Sequence, residues 1–339
     1  MKKLICLLLA AVLCLSVLTA CNRNEPAAPA PADDSAPAAQ STDEYVFVTV
    51  LMNLEYFQQH RQAVEDAAKQ LGVTGYMAGS NEYDANEMIK VFETLIQNPN
   101  VKGIITPGHF EDVYRDLFEK AWEKGIPVCT VTLGVPDSRE LCTFGTDYFN
   151  YGYIMAQTMG DLINNTGKVL ISQNLTGGGD PAIQIVNGIM QYASENPGMT
   201  VLEPLQDDSD AVVAARVIGS ALQANPDVVG VIGCQSASGI GAVTALREAD
   251  MLDKVKVVCI DKDTPTLEAI RDGEIQATVC GKQYTEVYYA TQFLYDYNMG
   301  NLEFMSSTDY HGLDISPLPS FVDTGAFIIT KENVAAFLD

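Results

Sequence analysis

The sequence of 339 residues predicts an α/β fold of two lobes of similar size, each built on a doubly wound parallel sheet. Short β-rich runs alternate with amphipathic segments from Tyr45 onward, and the alternation restarts after a helical segment at residues 154–163. The length also suits two compact units at ~150 residues each. Strand–helix alternation of this kind implies right-handed crossovers between parallel strands.

The amino terminus has the build of an export signal followed by an acylation site. Lys2 and Lys3 precede an apolar run at residues 4–17, which is short for a transmembrane helix. The run ends in LTAC at residues 18–21, which resembles a bacterial lipobox, where the cysteine thiol accepts a diacylglyceryl group. We expect a signal peptide at residues 1–20 and lipid attachment at Cys21. An ordinary secretory peptide with an incidental cysteine is the alternative.

Residues 21–44 are rich in Ala and Pro and nearly free of large apolar side chains. Such a segment cannot bury enough surface to order itself, and its prolines keep it extended. We expect a disordered tether between a lipid anchor and the folded body. The body is then exported and held on the extracytoplasmic face, at the cell surface or in the periplasm.

In the first lobe, each predicted strand is followed by a helical pattern. Residues 45–51 form a continuous apolar run, as in strands buried on both faces. Helical spacing then runs from Phe57 to Leu71, and Gly72 supplies the stop. Asp84 begins a capping-box pattern that opens the next helix. The strands expected in this lobe are residues 45–51, 73–78, 101–106, 127–131 and 142–146.

The second lobe repeats the pattern and has clear helix starts. Asp180 and Thr264 each precede a proline, which predicts an N-cap followed by Pro at the first helical position. Ser209 or Asp210 is expected to cap the helix after the acidic run at residues 207–210, which we do not interpret as a metal site. The strands expected in this lobe are residues 168–172, 200–205, 228–233, 255–260 and 276–280.

Composition excludes several functions. With 44 acidic and 20 basic residues the net charge is −24, so the chain lacks the clustered Lys and Arg that bind nucleic acid or anionic lipid. Three histidines and the absence of a C-x-x-C pair leave no pattern for a metal ion. Among the eight cysteines, five fall in apolar strand-like runs and are expected as buried free thiols, namely Cys129, Cys142, Cys234, Cys259 and Cys280.

Candidate ligand-binding residues follow the predicted strands. In open parallel sheets, ligands bind beyond the carboxyl ends of the strands. The amides, hydroxyls, aromatic rings and carboxylates at these positions suit a small polar molecule, and they contain no nucleophile paired with a base. One of the two adjacent rings could instead be a core contact, since Phe57 shares a helical stripe with Val64. The candidates are Asn53, Glu55, Tyr56, Phe57, Thr106 and Thr132 in the first lobe, and Gln235 and Asp261 in the second.

From residue 45 to its end, the chain resembles the type I periplasmic solute-binding proteins, in particular the sugar-binding group typified by ribose-binding protein. That family carries an Asn and two adjacent aromatic residues after its first strand, as do Asn53, Tyr56 and Phe57 here. Further segments resemble the family in the same order, namely residues 103–107, 143–152, 257–261 with 272–278, and 324–333.

The resemblance implies a three-segment hinge, with crossings near Thr146, near Gly281 and near residues 320–324. The N-terminal lobe would then comprise residues 45–146 plus about 282–320, and the C-terminal lobe residues 147–281 plus about 321–339. A ligand would bind between the lobes, with Thr146 and Gln283 at the cleft near two of the crossings. Closure around it would present a composite surface to an ABC permease.

Two departures from the family bear on the ligand. Sugar-binding relatives usually carry an Asp-Arg pair after strand four and an Arg in the helix after the second lobe's first strand. Here these positions are Thr132 with Leu133, and Ile185, while Glu55 adds a carboxylate at the cleft mouth. We therefore expect a neutral or cationic polyhydroxy, amino or nucleoside-like compound, with free sugars as the leading class.

Three roles follow from these observations. The favoured one is a lipid-anchored, monomeric solute-binding protein that delivers a small polar ligand, most simply a sugar, to an ABC importer, without cofactor or metal. The second is a receptor that reports ligand occupancy to a membrane sensor kinase or chemoreceptor. An enzyme is disfavoured because no catalytic set converges at the strand ends.

Overall fold

The computed structural model describes residues 41–177, 179–302 and 318–338. The expected signal peptide, the lipid attachment at Cys21 and the tether up to residue 40 lie outside the described residues. Within them the chain forms the predicted pair of α/β lobes. The strands are β1 Glu44–Thr49, β2 Thr74–Gly79, β3 Val101–Pro107, β4 Val128–Val131, β5 Glu140–Gly145, β6 Gly167–Gln173, β7 Met199–Val201, β8 Leu205–Gln206, β9 Val228–Gly233, β10 Lys256–Ile260, β11 Ala277–Gly281, β12 Phe321–Asp323 and β13 Ala326–Thr330.

Helices connect the strands in both lobes. A short 3-10 turn, Glu55–Phe57, leads into the first of them, and another, Val334–Phe337, follows β13. The α-helices are α1 Gln58–Leu71, α2 Ala85–Gln97, α3 Glu111–Glu123, α4 Tyr148–Ile163, α5 Gly179–Glu195, α6 Ala211–Ala224, α7 Ser236–Glu248, α8 Thr264–Asp272 and α9 Gln283–Asn298.

Each lobe contains one sheet. The first has six strands in the order β12-β5-β4-β3-β1-β2, and their described pairings are parallel. The second has seven strands in the order β13-β11-β10-β9-β6-β7, with β8 also paired to β6. Its pairings are parallel except for the antiparallel edge strand β13. The predicted strand at residues 200–205 is divided into β7 and β8 around Pro204, which has no N–H to donate to a ladder.

Helices cover both faces of each sheet, as the continuous apolar strands predict. In β1, Val46 and Val48 pack in one core cluster with Phe92 of α2, whereas Tyr45 and Phe47 pack in the cluster on the opposite face. The alternation follows the two-residue period of a strand. Helix α9 belongs to the first lobe, because it packs on α1 and on β3, β4 and β5.

Two of the residues predicted as N-caps lie inside their helices instead. Asp180 lies inside the first turn of α5, which begins at Gly179. Asp263 rather than Thr264 is the N-cap of α8, and its carboxylate accepts a hydrogen bond from Thr266 N at 3.4 Å. The caps at Asp84 and Asp210 are as predicted, because each carboxylate accepts from backbone N–H groups of the following turn.

The chain changes sheets three times. β5 leads into α4 through Thr146, β11 leads into α9 through Lys282, and β12 leads into β13 through residues 324–325. The expectation that residues from about 321 belong to the second lobe is wrong at its start, because β12 pairs with β5 of the first sheet. A hydrogen bond joins the first and third of these crossing segments, since Thr146 Oγ1 donates to Gly325 O at 3.3 Å.

The five cysteines in the body are buried free thiols, as expected. Burial raises the pKa of Cys142 to about 12, so that thiol stays protonated and unreactive near neutral pH. In the described part of the chain, no helix is long and apolar enough to cross a membrane.

Candidate functional site

A cavity of about 540 Å³ lies between the lobes, beyond the carboxyl ends of the strands. A second cavity of about 340 Å³ adjoins it and shares Tyr56, Asp261 and Gln283 with it. Strand ends of both sheets and side chains of α4, α5 and α9 line the larger cavity, so both lobes are needed to form it. The predicted residues at its wall are Tyr56, Phe57, Thr132, Thr146, Gln235, Asp261 and Gln283.

The adjacent rings Tyr56 and Phe57 have different environments. Tyr56 is 40% exposed and lines both cavities, whereas Phe57 is 4% exposed and reaches the cavity from within the core. Phe57 packs on Phe47 with ring centroids 6.2 Å apart, and on His60 at 5.3 Å. Tyr56 is therefore the ring available to a ligand, and Phe57 supports it.

His60 holds the turn that carries Tyr56. Its side chain is fully buried, its ring stacks on Phe47 at 5.0 Å, and its Nδ1 donates to Tyr56 O at 3.1 Å. Burial lowers the pKa of His60 to about 3, so it is neutral at physiological pH. The neutral ring of His60 thus fixes the backbone position of Tyr56 from the core side.

Thr132 follows β4 and binds a carboxyl group that the sequence did not single out. Its backbone has φ +61°, and its Oγ1 donates to Glu286 Oε2 at 2.7 Å. Glu286 lies in the first turn of α9, is 2% exposed and lines the cavity. Burial raises the pKa of Glu286 to about 7, partly offset by the Thr132 bonds.

Asp261 occupies the corresponding position in the second lobe, directly after β10. Its backbone also has a positive φ, +67°, and Thr278 Oγ1 donates to its carbonyl at 2.6 Å. Its carboxylate accepts from the hydroxyl of Ser236. Burial raises the pKa of Asp261 against the opposing effect of that bond. A non-glycine residue in this conformation at a strand end is typical of a functional site.

Gln235 joins the cavity wall to a buried polar network. It lies before α7, where its backbone N–H donates to Ser238 Oγ at 3.1 Å and its side-chain amide binds Gln173. Ser238 in turn donates to the fully buried Asp207, which also accepts from Ser172 Oγ at 2.8 Å. These bonds fix the second lobe's wall before any ligand arrives.

Two residues near the hinge line the cavity as the resemblance implied. Thr146 is buried at the first crossing, and Gln283 begins α9 and accepts from Lys262 Nζ at 3.2 Å. Gly281 lies between them, where a Cβ would stand 3.1 Å from Thr146 Oγ1 and 3.5 Å from Gln283 Nε2. A side chain at that position would therefore crowd the cavity.

Three predicted residues lie elsewhere. Thr106 is fully buried, and its hydroxyl donates to Pro107 O at 3.3 Å, away from the cavity wall. Asn53 is exposed and lines neither cavity. Glu55 is exposed and lines the smaller cavity only.

Several polar residues at the cavity were not among the predicted site residues. Tyr148 and Tyr151 come from α4, and Glu286 from α9. His109 lines the cavity near Tyr83, and its buried Nε2 has no hydrogen-bond partner among the described residues. Tyr148, Tyr151 and Glu286 come from helices, so the strand-end rule could not find them, whereas His109 lies in the turn that follows β3.

The two α4 tyrosines are fixed by backbone carbonyls. Tyr148 Oη donates to Thr132 O at 3.1 Å, across the lobes, and Tyr151 Oη donates to Val279 O at 2.7 Å. Ile185, at the position where relatives of the resembled group usually carry an Arg, also lines the cavity. The wall therefore combines aromatic and aliphatic surface with carboxyl and amide groups, which suits a small polyhydroxylated molecule.

Within residues 41–177, 179–302 and 318–338, no group of three or more His, Cys, Asp or Glu side chains is arranged to hold a metal ion. The polar groups at the cavity are hydrogen-bonding groups, and none of the described hydrogen bonds pairs a nucleophile with a histidine or lysine base there.

Comparison with known proteins gives a consistent result. Residues 45–302 match a family model described as a periplasmic binding protein domain. A D-allose-binding periplasmic protein from Escherichia coli (strain K12) is 24% identical over 253 residues, which is 71% of this chain and 80% of that protein. A D-apiose import binding protein from Actinobacillus succinogenes is 23% identical over 230 residues, covering 66% of this chain and 71% of its own.

Solved structures agree with this result. An arabinose-binding protein from Geobacillus stearothermophilus superposes with a TM-score of 0.79 at 26% identity, covering 87% of this chain and 99% of its own. A sugar-binding protein of a sugar ABC transporter from Bacillus halodurans gives the same TM-score and identity, with 87% and 100% covered.

Proposed function

The chain belongs to the family of periplasmic binding protein domains, and on that basis we propose that it captures a small sugar or sugar-like solute between its lobes and delivers it to an ABC importer. It is a binding protein and not an enzyme. The observation that supports the proposal most directly is the cavity of about 540 Å³, whose walls come from both lobes and combine an accessible tyrosine with hydrogen-bonding groups.

The proposed ligand set follows from the cavity wall. Tyr56 would pack on an apolar sugar face, and Asp261 and Gln235 would bind hydroxyl groups. Thr132, Thr146 and Gln283 would act near the hinge, where lobe closure brings their elements together. Phe57 would support Tyr56, and Asn53, Glu55 and Thr106 are left out of direct contact.

Thermal denaturation with a panel of sugars, polyols and nucleosides tests the binding proposal. The protein is the mature chain from Cys21 carrying Cys21→Ser, which keeps it unacylated. A ligand at 100 times its dissociation constant adds about 2.7 kcal/mol to the free energy of unfolding, a readable shift. Solution scattering with that ligand should give a smaller radius of gyration, as expected of closure. The absence of any stabilising solute would refute the proposal.

Import is tested separately from binding. Deleting the gene should abolish uptake of the ligand found in the panel. Normal uptake together with tight binding would replace import by the sensing role, in which occupancy is reported to a membrane protein.

We also propose that Cys21 carries the lipid that holds the protein on the extracytoplasmic face as a monomer. Two or three acyl chains give stable anchoring, whereas one gives marginal binding. Mass spectrometry of the first tryptic peptide of the mature protein should show the acyl mass, and Cys21→Ala should lack it. An unmodified wild-type peptide would contradict the proposal.

A further inference from the structure

Two carboxyl groups face the cavity without a cationic partner. Glu286 is 2% exposed, and Asp261 lies across the cavity in the other lobe. Neither takes part in an ion pair among the described residues, and no arginine lines the cavity there. Buried carboxylates ordinarily have a cation or several donors, because an unpaired buried charge is costly.

Their hydrogen bonds leave acceptor capacity open. Glu286 Oε2 accepts from Thr132 Oγ1 at 2.7 Å, while Oε1 accepts from no described residue. Asp261 Oδ2 accepts from Ser236, and Oδ1 accepts none in the described part of the chain. A ligand that brought hydrogen-bond donors or a positive charge would therefore complete both groups.

The lysine near the cavity mouth does not complete them. Lys262 Nζ donates to Gln59 Oε1 at 3.0 Å and to Gln283 Oε1 at 3.2 Å, both neutral amides. Its effect on Glu286 is the weakest of those that determine the pKa of that carboxyl group. Lys262 thus bridges the lobes through Gln59 and Gln283, and its ammonium group forms no described ion pair with Glu286 or Asp261.

The rest of the wall also favours a cation. Tyr56, Tyr148 and Tyr151 line the same cavity, and the hydroxyls of the latter two are bound to backbone carbonyls. Aromatic rings attract cations through their π-faces, by about 0.5–2 kcal/mol. Carboxylates and tyrosine rings around one cavity are the chemistry that recognises an ammonium group.

We infer that the ligand carries a protonated amino group, so that it is an amino sugar or amino polyol rather than a neutral sugar, with Glu286 and Asp261 binding the ammonium side. This inference rests on the proposed function and deepens it by naming the ligand class. Glu286 thereby becomes a specificity-determining residue that discriminates amine-bearing ligands from their hydroxyl counterparts.

Matched sugar pairs test this inference. Calorimetric titration at about pH 6.5 compares D-glucose, D-galactose and D-mannose with their 2-amino-2-deoxy and N-acetylated forms. We expect at least one amino sugar to bind tenfold or more tightly than both its neutral counterparts. Preferential binding of neutral sugars would overturn the inference and leave the proposed function standing. Binding of none of these compounds, together with no hit in the thermal panel, would overturn both.

Variants separate a role in specificity from a role in folding. Glu286→Gln keeps the shape and should reduce the amino-sugar preference at least tenfold, measured as the ratio of the affinities for the amino sugar and its neutral counterpart. Glu55→Gln, a carboxyl group exposed at the smaller cavity, is the matched control and should leave the preference within about twofold. An unchanged preference in Glu286→Gln would contradict the assignment.

The pH profile gives an independent check. The titratable and charged groups around the same cavity include Tyr56, His109, Tyr148, Tyr151 and Asp261, with Lys262 at its mouth, and burial raises the pKa of Glu286 to about 7. An ammonium ligand prefers the ionised carboxylate, so affinity should rise several-fold from about pH 5.5 to 7. A neutral ligand that accepts from the protonated acid would weaken over the same interval. The rise should be absent in Glu286→Gln.

Discussion

In the second lobe, Gln235 at the cavity belongs to a buried hydrogen-bond network, whereas in the first lobe the ring of His109 at the same cavity has a buried nitrogen with no described partner. Gln235 belongs to the network around Asp207, and Asp261 accepts from Ser236. In the first lobe, His109 Nε2 is buried without a described partner, and the buried Glu286 accepts from Thr132 as Asp261 does from Ser236. The second wall is therefore preorganised around Gln235, whereas the first leaves the Nε2 of His109 for a ligand to satisfy.

This difference assigns separate contributions to the lobes. Preorganised groups lower the cost of orienting a ligand, because their rotamers are already fixed. Incompletely bonded buried groups raise the free energy of the ligand-free protein, and a ligand that satisfies them recovers that cost. We expect changes in the first lobe to affect stability and specificity, and changes in the second to affect affinity.

The largest expected effect is on stability, and it tests whether Phe57 supports Tyr56 in the first lobe. Phe57→Ala removes a ring that is 4% exposed and packs on Phe47 and His60, so it should lower the free energy of unfolding by about 3–5 kcal/mol. Tyr56→Ala, at a side chain that is 40% exposed, should cost less than about 1 kcal/mol in stability but weaken binding. Urea denaturation measures the stability of each variant, and calorimetric titration measures its ligand affinity. Equal stability losses would remove the distinction between the two rings.

The next effect concerns the pH dependence of the ligand-free protein. The pKa of Glu286 is raised from 4.5 to about 7, so its native-state contribution is full below pH 4.5 and is lost as pH rises through 7. Glu286→Gln should therefore stabilise the unliganded protein by about 2 kcal/mol at pH 8, and much less at pH 5.

Denaturation at both pH values measures this effect, with Glu55→Gln as control. The control should show no such difference, because Glu55 is exposed. A pH-independent effect of Glu286→Gln would mean that ionisation of the buried Glu286 carboxyl group does not destabilise the ligand-free protein.

The smallest effect tests the second wall. A charge-assisted hydrogen bond contributes roughly 1.5–3 kcal/mol, so Asp261→Ala should weaken binding about tenfold or more. Asp261→Asn should cost less because it keeps an acceptor and the shape. Asn53→Ala, a strand-end residue that lines neither cavity, should change affinity by less than about twofold. Calorimetric titration with the tightest-binding ligand measures the affinity of each variant. Equal losses of affinity in Asp261→Ala and Asn53→Ala would mean that the ligand does not bind in the cavity that Asp261 lines.

Local patterns were sufficient to predict the two lobes, the strand positions within a few residues and the edge at which the cavity forms. Apolar strand runs, the helix stop at Gly72 and the helix start at Asp84 are set by neighbours in sequence, so they could be read directly. Thr132, Gln235 and Asp261 were found because a ligand site in an open parallel sheet lies beyond the strand ends.

Side-chain direction and long-range packing were beyond those patterns. Thr106 lies inside β3 and is buried beside Pro107, whereas Thr132 lies just past the end of β4 with φ +61° and faces the cavity. Glu286 reaches the cavity because α9 packs against the first lobe, 154 residues along the chain from Thr132. Its burial, and so its raised pKa, follows from this long-range packing, which no local sequence pattern encodes.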